Sequence, residues 1–367
     1  MMKFTYAMLG FAAVAAIGLA GPARADEEKV LNVYNWSDYI GENTVKDFEK
    51  QTGIKVNYDV YDSNETLETK LLTGHTGYDV VVPSGGFLGK QIQAGVFGLL
   101  DKAKLTNLKN MDESIMKAAA QFDPDNAHSV PYFWGTVGIG YNVKKINERM
   151  PDAPVNSLDM IFKPEIAKKF ANCGIAMLDA PGDILEIALH YLGLSPYTAK
   201  KEDYKKAEDL LLKVRPYIKY FHSSRYIDDM ANGEICLALG WNGDFLIAGD
   251  RAAEAKNGVE VQYRIPKEGT QLWIDNLAIP ADAPHPNNAL LFINFLMEPQ
   301  IAADGANFVN YATPNKAALP LVKEDLRNNP DIYPPPDVMA KLFPDKVATP
   351  AVDRLRTRTW TRIKTGS

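Results

Sequence analysis

The sequence is short of cysteine, of histidine and of positive charge, and each shortage excludes a class of function. Two cysteines in 367 residues exclude a disulfide-rich scaffold and a four-cysteine zinc module. The five histidines are widely separated and form no HExxH pattern, so we expect no metal site. Acidic residues outnumber basic ones by 46 to 40, which argues against nucleic acid as a partner.

The motifs of common enzyme classes are also missing. We find no P-loop, no GxSxG elbow and no dinucleotide fingerprint, because the glycines between Gly135 and Gly140 lack the required spacing. We interpret that segment as a strand entering a second lobe. An exported hydrolase, using a cysteine with His190 or His222, is the alternative from the enzyme class. The expectation is a protein that is not an enzyme and needs no cofactor.

The first residues have the layout of a cleavable signal peptide. A lysine at position 3 precedes an apolar stretch from Ala7 to Ala20, and small residues follow up to Ala25. The apolar stretch is shorter than the roughly 20 residues of a membrane-spanning helix, and no later run approaches that length. We therefore expect residues 1–25 to be removed near Ala25 and the mature chain to be periplasmic. The first cysteine is Cys173, so no lipid anchor is expected at the new N-terminus.

The mature chain is acidic and large enough for two domains. Cleavage removes Lys3 and Arg24 but no acid, so the formal charge of −6 becomes −8. The roughly 340 remaining residues exceed the size at which one hydrophobic core keeps growing. Cys173 and Cys236 would meet oxidising conditions after export, so we expect them to form a disulfide, with two buried free thiols as the alternative.

Short runs rich in β-branched residues alternate with helical patterns, which indicates an α/β fold. The predicted strands are Val30 to Tyr34, Lys55 to Tyr61, Asp79 to Val82, Ile175 to Leu178, Ile235 to Leu239 and Leu272 to Ile279. The predicted helices are Thr44 to Gln51, Glu65 to Leu72, Leu185 to Leu192, Tyr204 to Val214 and Ala289 to Met297. With crossovers near Trp134, Gly258 and Val309, one lobe would comprise residues 26–134 and 257–308, and the other 135–256 and 309–367.

Tryptophan and aspartate recur together at the ends of the predicted strands, where ligands bind in open α/β sheets. Trp36 and Asp38 follow the first strand, and Trp241 and Asp244 follow the fifth. The last strand contains both types on one face. These pairs are Trp36 with Asp38, Trp241 with Asp244, and Trp273 with Asp275.

This pairing suits a cationic ligand. A buried ammonium needs carboxylate acceptors to replace its hydration, and indole rings cover the adjoining methylenes and attract the cation. A carboxylate ligand would require an arginine fork, and the strand-end segments contain no arginine. The structural alternative is that each tryptophan packs in a core and that Asp38 and Asp244 cap helices.

Longer segments resemble the periplasmic putrescine- and spermidine-binding proteins of bacterial ABC transporters, over essentially the whole mature chain. The segments that carry the resemblance are Leu31 to Ile40, Arg215 to Ser224, Gly240 to Asp244, Asn315 to Ala318 and Arg356 to Thr361. The resemblance implies a two-lobed type II periplasmic binding fold that closes over the ligand by a hinge motion. It assigns ligand-binding roles to Trp36, Ser37, Asp38, Tyr39, Ser84, Asp183, Trp241, Asp244, Trp273, Asp275 and Tyr311.

Some details of the ligand stay open at this stage. The resemblance implies capture of putrescine, spermidine or both by a monomer, and delivery to the membrane permease subunits of an ABC importer. Agmatine or cadaverine is the alternative ligand. Asp183 stands where the family usually has Glu, which weakens its assignment, and Gly86 leaves one wall of the cleft unspecified. The large ring of Trp273 favours the longer spermidine, whereas Trp36 and Trp241 stand in segments of the putrescine type.

Overall fold

The computed structural model describes residues 27–366, so the predicted signal peptide and its cleavage near Ala25 lie outside the described residues. The strands are β1 Val30–Trp36, β2 Lys55–Tyr61, β3 Val80–Val81, β4 Ser129–Asn142, β5 Ile175–Met177, β6 Ile218–Phe221, β7 Leu237–Trp241, β8 Val261–Arg264, β9 Gln271–Ala278 and β10 Phe343–Pro344. The α-helices are α1 Thr44–Thr52, α2 Asn64–Leu72, α3 Gly85–Gln93, α4 Glu113–Ala119, α5 Val143–Arg149, α6 Asp159–Phe162, α7 Pro164–Phe170, α8 Pro181–Tyr191, α9 Lys201–Val214, α10 Tyr226–Ala231, α11 Asn242–Ala255, α12 Pro286–Leu296, α13 Pro299–Val309, α14 Glu324–Arg327, α15 Pro336–Met339 and α16 Pro350–Thr365. Single turns of 3₁₀ helix occupy Lys102–Lys104, Thr106–Asn110, Pro124–Asn126, Ala171–Cys173, Arg215–Tyr217 and Leu319–Leu321.

All six predicted strands and all five predicted helices are present, with ends that differ by a few residues. The glycine-rich segment Gly135 to Gly140 lies within β4, which confirms its interpretation as a strand. Every residue of β4 is buried, because the strand has neighbours on both sides. Helix α16 was not predicted, since its sequence is rich in arginine and threonine.

The strands form one continuous path with the order β2-β1-β3-β9-β4-β7-β5-β6. Strand β4 connects the two halves of this path. Its first part pairs antiparallel with β9, up to Thr136 opposite Leu272. From Val137 onwards it pairs with β7 on one side and, through Ile139 and later residues, with β8 on the other. The chain therefore passes from one half of the structure to the other close to the predicted crossover at Trp134.

The return passage lies between β8 and β9. Strand β8 still pairs with the second part of β4, whereas β9 pairs with the first part, so the chain returns between Arg264 and Gln271. The short β10 then adds to β9 in parallel, with Phe343 opposite Gln271. Strand pairing alone does not define a lobe, and the predicted lobe boundaries stay predictions.

The C-terminal helix α16 packs against the second half of the structure. Its buried residues include Trp360 and Ile363, and the Trp360 indole Nε1 donates to Asp179 at 2.7 Å. The helix is capped at both ends, by the Thr349 side chain and by Gly366 in the left-handed conformation. This docking brings Arg356 into the interior, where it is 9% exposed. Between residues 27 and 366 no helix is long and apolar enough to cross a membrane.

The predicted disulfide between Cys173 and Cys236 is confirmed. Cys173 precedes β5 and Cys236 precedes β7, and these two strands are parallel neighbours. The bond therefore joins the entrances of adjacent strands in the second half of the sheet, and both sulfurs are buried.

We expect replacement of both cysteines by alanine to lower the free energy of unfolding by up to about 4 kcal/mol, because the bond closes a loop of 63 residues and restricts the unfolded chain. Urea unfolding of the parent and of the double variant, followed by circular dichroism, measures the difference. An unchanged midpoint in unreduced parent and variant would contradict the expectation. The parent unfolded in reductant is the matched control and should resemble the variant.

Candidate ligand-binding site

One cavity, with about 720 Å³ of empty space that includes its opening to solvent, lies where strand ends from the two halves of the sheet meet. Ten of the eleven predicted site residues line it, and Asp38 does not. The ten are Trp36, Ser37, Tyr39, Ser84, Asp183, Trp241, Asp244, Trp273, Asp275 and Tyr311.

The elements around the cavity explain why these residues converge. Trp36 ends β1, Trp241 ends β7, and Trp273 and Asp275 lie two residues apart on β9. Two of the acids stand in the first turns of helices, Asp183 in α8 and Asp244 in α11. The carboxyl ends of the strands and the amino ends of the following helices therefore face the same space.

Asp275 is held by a serine from the neighbouring segment. The Ser84 hydroxyl donates to Asp275 Oδ1 at 2.5 Å and accepts from the Asn64 amide at 2.9 Å. The side chain is 5% exposed, and burial raises the pKa of Asp275 to about 7, against the lowering effect of the Ser84 hydroxyl. The buried carboxylate has no cation beside it among the described residues, so a bound cation would favour its ionised form.

Asp244 is held by two tyrosines. The hydroxyls of Tyr226 and Tyr311 each donate to a different oxygen of the Asp244 carboxylate at 2.5 Å. Burial raises the pKa of Asp244 to about 7 although both hydroxyls act to lower it. Helix α11 has no side-chain cap, so the capping alternative for Asp244 is wrong. Its carboxylate is directed to the tyrosines and the cavity instead.

Asp183 is joined to a tryptophan. The Trp241 indole Nε1 donates to Asp183 Oδ2 at 3.1 Å. Burial raises the pKa of Asp183 to about 7, and the nearby Asp345 carboxylate adds to the increase. The Asp183 side chain therefore lines the cavity, although it is shorter than glutamate.

Aromatic rings form the apolar walls. Trp36 contacts Trp241 edge to face, with ring centroids 5.5 Å apart, and so joins the first half of the structure to the second. Tyr311 lies between Tyr39 and Trp273 at 5.2 Å from each. The Tyr39 hydroxyl faces Asp275 and acts to lower its pKa, and the Trp273 Nε1 is buried without a hydrogen-bond partner among the described residues.

Asp38 lies outside the cavity. Its Oδ1 accepts from Arg251 Nη2 at 2.7 Å, and Arg251 also binds Asp228 at 2.7 Å. Asp38 has a backbone φ of 55° and begins no helix, so it does not act as a helix cap in this structure. Its side chain links the segment after β1 to α11. Its role as a ligand-binding residue stays a prediction.

Several cavity residues were not predicted. They are Tyr61, Asp62, Asn64, Phe87, Gly182, Ser223, Ser224, Ile227, Gln271, Asp345 and Arg356. Tyr61 and Asp62 lie at the end of the predicted second strand, so the strand-end rule could have found them. Asp345 and Arg356 come from the C-terminal segment, whose sequence pattern gives no such signal.

An arginine therefore does line the cavity, from outside the strand-end segments. Arg356 donates through Nη2 to Glu186 Oε1, and Glu186 is fully buried. Burial lowers the pKa of the Arg356 guanidinium, but Glu186, Tyr204 and Asp345 together leave the pKa raised. The direct ion pair of Arg356 is with Glu186, and its charge also acts to lower the pKa of Asp183 without offsetting burial there. Nowhere in residues 27–366 are three or more His, Cys, Asp or Glu side chains grouped to hold a metal ion.

The raised pKa of Asp244 makes the folding stability of the ligand-free protein depend on pH. The unfolded carboxyl loses its proton near pH 4 and the folded one near pH 7, so the folded state binds more protons between these values and the stability falls as the pH rises. Asparagine does not ionise, so Asp244→Asn should be more stable relative to the parent as the pH rises. The difference in unfolding free energy between variant and parent should be about 2 to 3 kcal/mol larger at pH 8 than at pH 5.

Urea unfolding at the two pH values measures this difference. Asp152→Asn, at an exposed position, is the matched control and should show no such change. An equal effect of Asp244→Asn at both pH values would show that the buried carboxyl does not change its protonation on unfolding.

The fold agrees with comparisons to known proteins. A family model described as bacterial extracellular solute-binding protein matches residues 43–334. The chain is 52% identical over 359 residues to the putrescine-binding periplasmic protein PotF of Escherichia coli, covering 97% of each chain. It is 54% identical over 351 residues to the putrescine-binding periplasmic protein SpuD of Pseudomonas aeruginosa, covering 95% of each.

A solved structure shows the same architecture. The spermidine/putrescine ABC transporter substrate-binding protein PotD of Streptococcus pneumoniae superposes with a TM-score of 0.72 at 28% identity, covering 92% of this chain and 99% of that one. The fold is thus the predicted two-lobed α/β fold of type II periplasmic binding proteins. The family match over most of the chain, together with relatives above half identity, shows that this chain belongs to the bacterial extracellular solute-binding proteins.

Proposed function

We propose that this protein captures a polyamine, putrescine or spermidine or both, in the cavity and delivers it to the membrane permease of an ABC importer. The observation that carries the proposal is a set of buried carboxylates, Asp183, Asp244 and Asp275, none of which forms an ion pair with a described basic side chain and all of which have raised pKa values. Two relatives that share more than half of the sequence are named for putrescine binding, which supports the same ligand class.

The chemistry of the cavity suits alkyl ammonium groups. Each ammonium would receive carboxylate oxygens, and the methylenes between them would contact Trp36, Trp241 and Trp273. Binding would also remove the cost of burying unmatched carboxylates, because the ligand's charge favours the ionised form of each acid.

Capture would involve closure of the two lobes. We propose the lobe boundaries given above, namely 26–134 with 257–308 and 135–256 with 309–367. In the structure, Trp36 contacts Trp241 and Asp38 pairs with Arg251, and each contact joins the two proposed lobes. Such contacts form only when the lobes are close, so they would favour the closed state once a ligand fills the space.

The mature protein would be a periplasmic monomer, released by cleavage near Ala25. Agmatine and cadaverine, which also carry two cationic ends, are alternative ligands for the same carboxylates. An exported hydrolase is disfavoured because both cysteines form the disulfide and neither is a free thiol. We therefore propose a binding role without catalysis.

Calorimetry of the mature protein tests the proposal. The protein is unfolded, dialysed and refolded to remove retained ligand, and then titrated with putrescine, spermidine, agmatine, cadaverine, arginine and glutamate. We expect a polyamine dissociation constant of about 1 μM or tighter, equivalent to about 8 kcal/mol of binding free energy, and no heat with glutamate. The absence of heat and of a thermal shift with every polyamine would refute the proposal.

Asp244 and Asp275 are expected to be the principal ammonium acceptors. Alanine at either position should weaken binding by about 2 to 5 kcal/mol, because an ammonium would be left buried without its partner. Calorimetric titration of each variant measures the loss. Asp152→Ala, at an exposed position, is the control. Parent-like affinity in both variants would show that these carboxylates do not bind the ligand.

Trp273 is expected to adjust the preference between the two polyamines. Its ring covers more of a long methylene chain than phenylalanine would, so we expect the parent to favour spermidine by no more than about 1 to 2 kcal/mol. Competition titrations should show that Trp273→Phe reduces this preference. An unchanged spermidine to putrescine ratio would contradict the assignment of length selection to Trp273.

A further inference from the structure

The wall beside Gly86, which the sequence left unspecified, is occupied by the carboxylate of Asp345. Gly86 is the second residue of α3, and its backbone N–H donates to Asp345 Oδ2 at 2.8 Å. A Cβ on Gly86 would lie 2.2 Å from that same oxygen, which is far inside contact distance. The carboxylate can therefore hold its position only because residue 86 has no side chain.

Asp345 forms no ion pair with a described basic side chain. Its oxygens accept from the backbone N–H groups of Gly86 and Lys346, and burial raises its pKa although the more distant charges of Arg356 and Lys90 act to lower it. Asp345 lines the cavity together with Asp183. A buried carboxylate that is bound only by backbone amides is costly to keep ionised unless a cation reaches it.

A neutral acceptor beside these acids also lacks a partner. The Gln271 amide donates through Nε2 to Glu186 Oε2 at 3.2 Å. Because a carboxylate only accepts, this contact fixes which end of the amide faces Glu186, and Oε1 is directed elsewhere. Gln271 Oε1 is buried and has no hydrogen-bond partner among the described residues, and Gln271 lines the cavity.

Hydrogen bonds place these acids on different walls of the cavity. Asp345 accepts from Gly86, two residues after the Ser84 that binds Asp275, and its own N–H donates to the Leu272 carbonyl on β9. Asp183 lies one turn before Glu186 on α8, and Glu186 binds Gln271, the neighbour of Leu272. Asp244 is bound instead by Tyr226 and Tyr311.

We propose that Asp345, Asp183 and Gln271 form a distal pole of the cavity that binds the far ammonium of a ligand too long for the Asp244 and Asp275 pair alone. This inference rests on the proposed function and specifies its ligand class as a long polyamine of the triamine type. A short diamine would be held by Asp244 and Asp275 and would not reach the pole. Gly86 is a positioning residue, because it leaves room for the Asp345 carboxylate.

Titration of the refolded, ligand-free mature protein with three ligands distinguishes the effect of ligand length from that of ligand charge. Putrescine is short and carries two charges, spermidine is long and carries three, and 1,8-diaminooctane matches the length of spermidine with only two. Asp345→Asn keeps the size and one acceptor for the Gly86 N–H. We expect this variant to bind spermidine and 1,8-diaminooctane about 30-fold or more weaker than the parent does. Its dissociation constant for putrescine should stay within about threefold of the parent value.

Gly86→Ala is the second variant, and it displaces the Asp345 carboxylate without removing it. Gly86→Ala should lower the affinity for the long ligands selectively, as Asp345→Asn does. The double variant should lose little more affinity than either single variant, because both changes act on one contact. The matched controls are Asp337→Asn, an exposed acid in the same segment, and Gly249→Ala, where a Cβ would meet nothing closer than 3.9 Å. Thermal melting of each ligand-free variant checks its folding.

The outcomes separate the two proposals. Loss confined to the long ligands in either variant supports the distal pole, and if Asp345→Asn does not fold, Gly86→Ala decides. An equal loss for all three ligands, or no loss for any of them, overturns the pole while the proposed polyamine binding stands. A parent protein that binds none of the three overturns the proposed function and this inference with it.

Discussion

The structure of this protein depends on keeping several carboxylates buried around one cavity without enough positive charge to match them. Asp183, Asp244, Asp275 and Asp345 all lie there with raised pKa values, and the one arginine in the lining is matched by Glu186. Hydroxyl, indole and backbone N–H donors hold each carboxylate in place but do not neutralise it. A cationic ligand is the component that would complete this arrangement, because its charge would favour the ionised form of each acid.

The fold supplies donors to these acids from separate parts of the chain. Ser84 follows β3 and reaches Asp275 on β9, while Tyr226 and Tyr311, 85 positions apart in the numbering, meet at Asp244. The long strand β4 makes this possible, since it belongs to both halves of the sheet and fixes β7 and β9 beside it. Gly135 on β4 has no side chain where a Cβ would lie 2.6 Å from the Trp273 ring. The rigid strands thus set the positions of the cavity walls, and the side chains define its chemistry.

Much of the fold could be predicted from local patterns. The strand Lys55–Tyr61 and the helix starting at Thr44 were placed correctly, because short apolar runs and helical spacing are properties of neighbouring residues. The strand-end rule found Trp36, Trp241 and Trp273, since it needs only the order of strands and the residues that follow them. That rule uses only residue type and order, so it could not foresee that the Asp38 carboxylate pairs with Arg251 in this structure.

The sequence by itself determined the fold class, the export signal expected for residues 1–25, the cysteine pair and the repeated tryptophan and aspartate at strand ends. Only the tertiary structure decided which carboxylates share a cavity, which of them are matched by a cation, and which wall Gly86 leaves open. The physical reason is that pairing of charges depends on distance in space. Asp345 and Arg356 lie far along the chain from Gly86 and Glu186, and the docking of α16 and β10 brings them together.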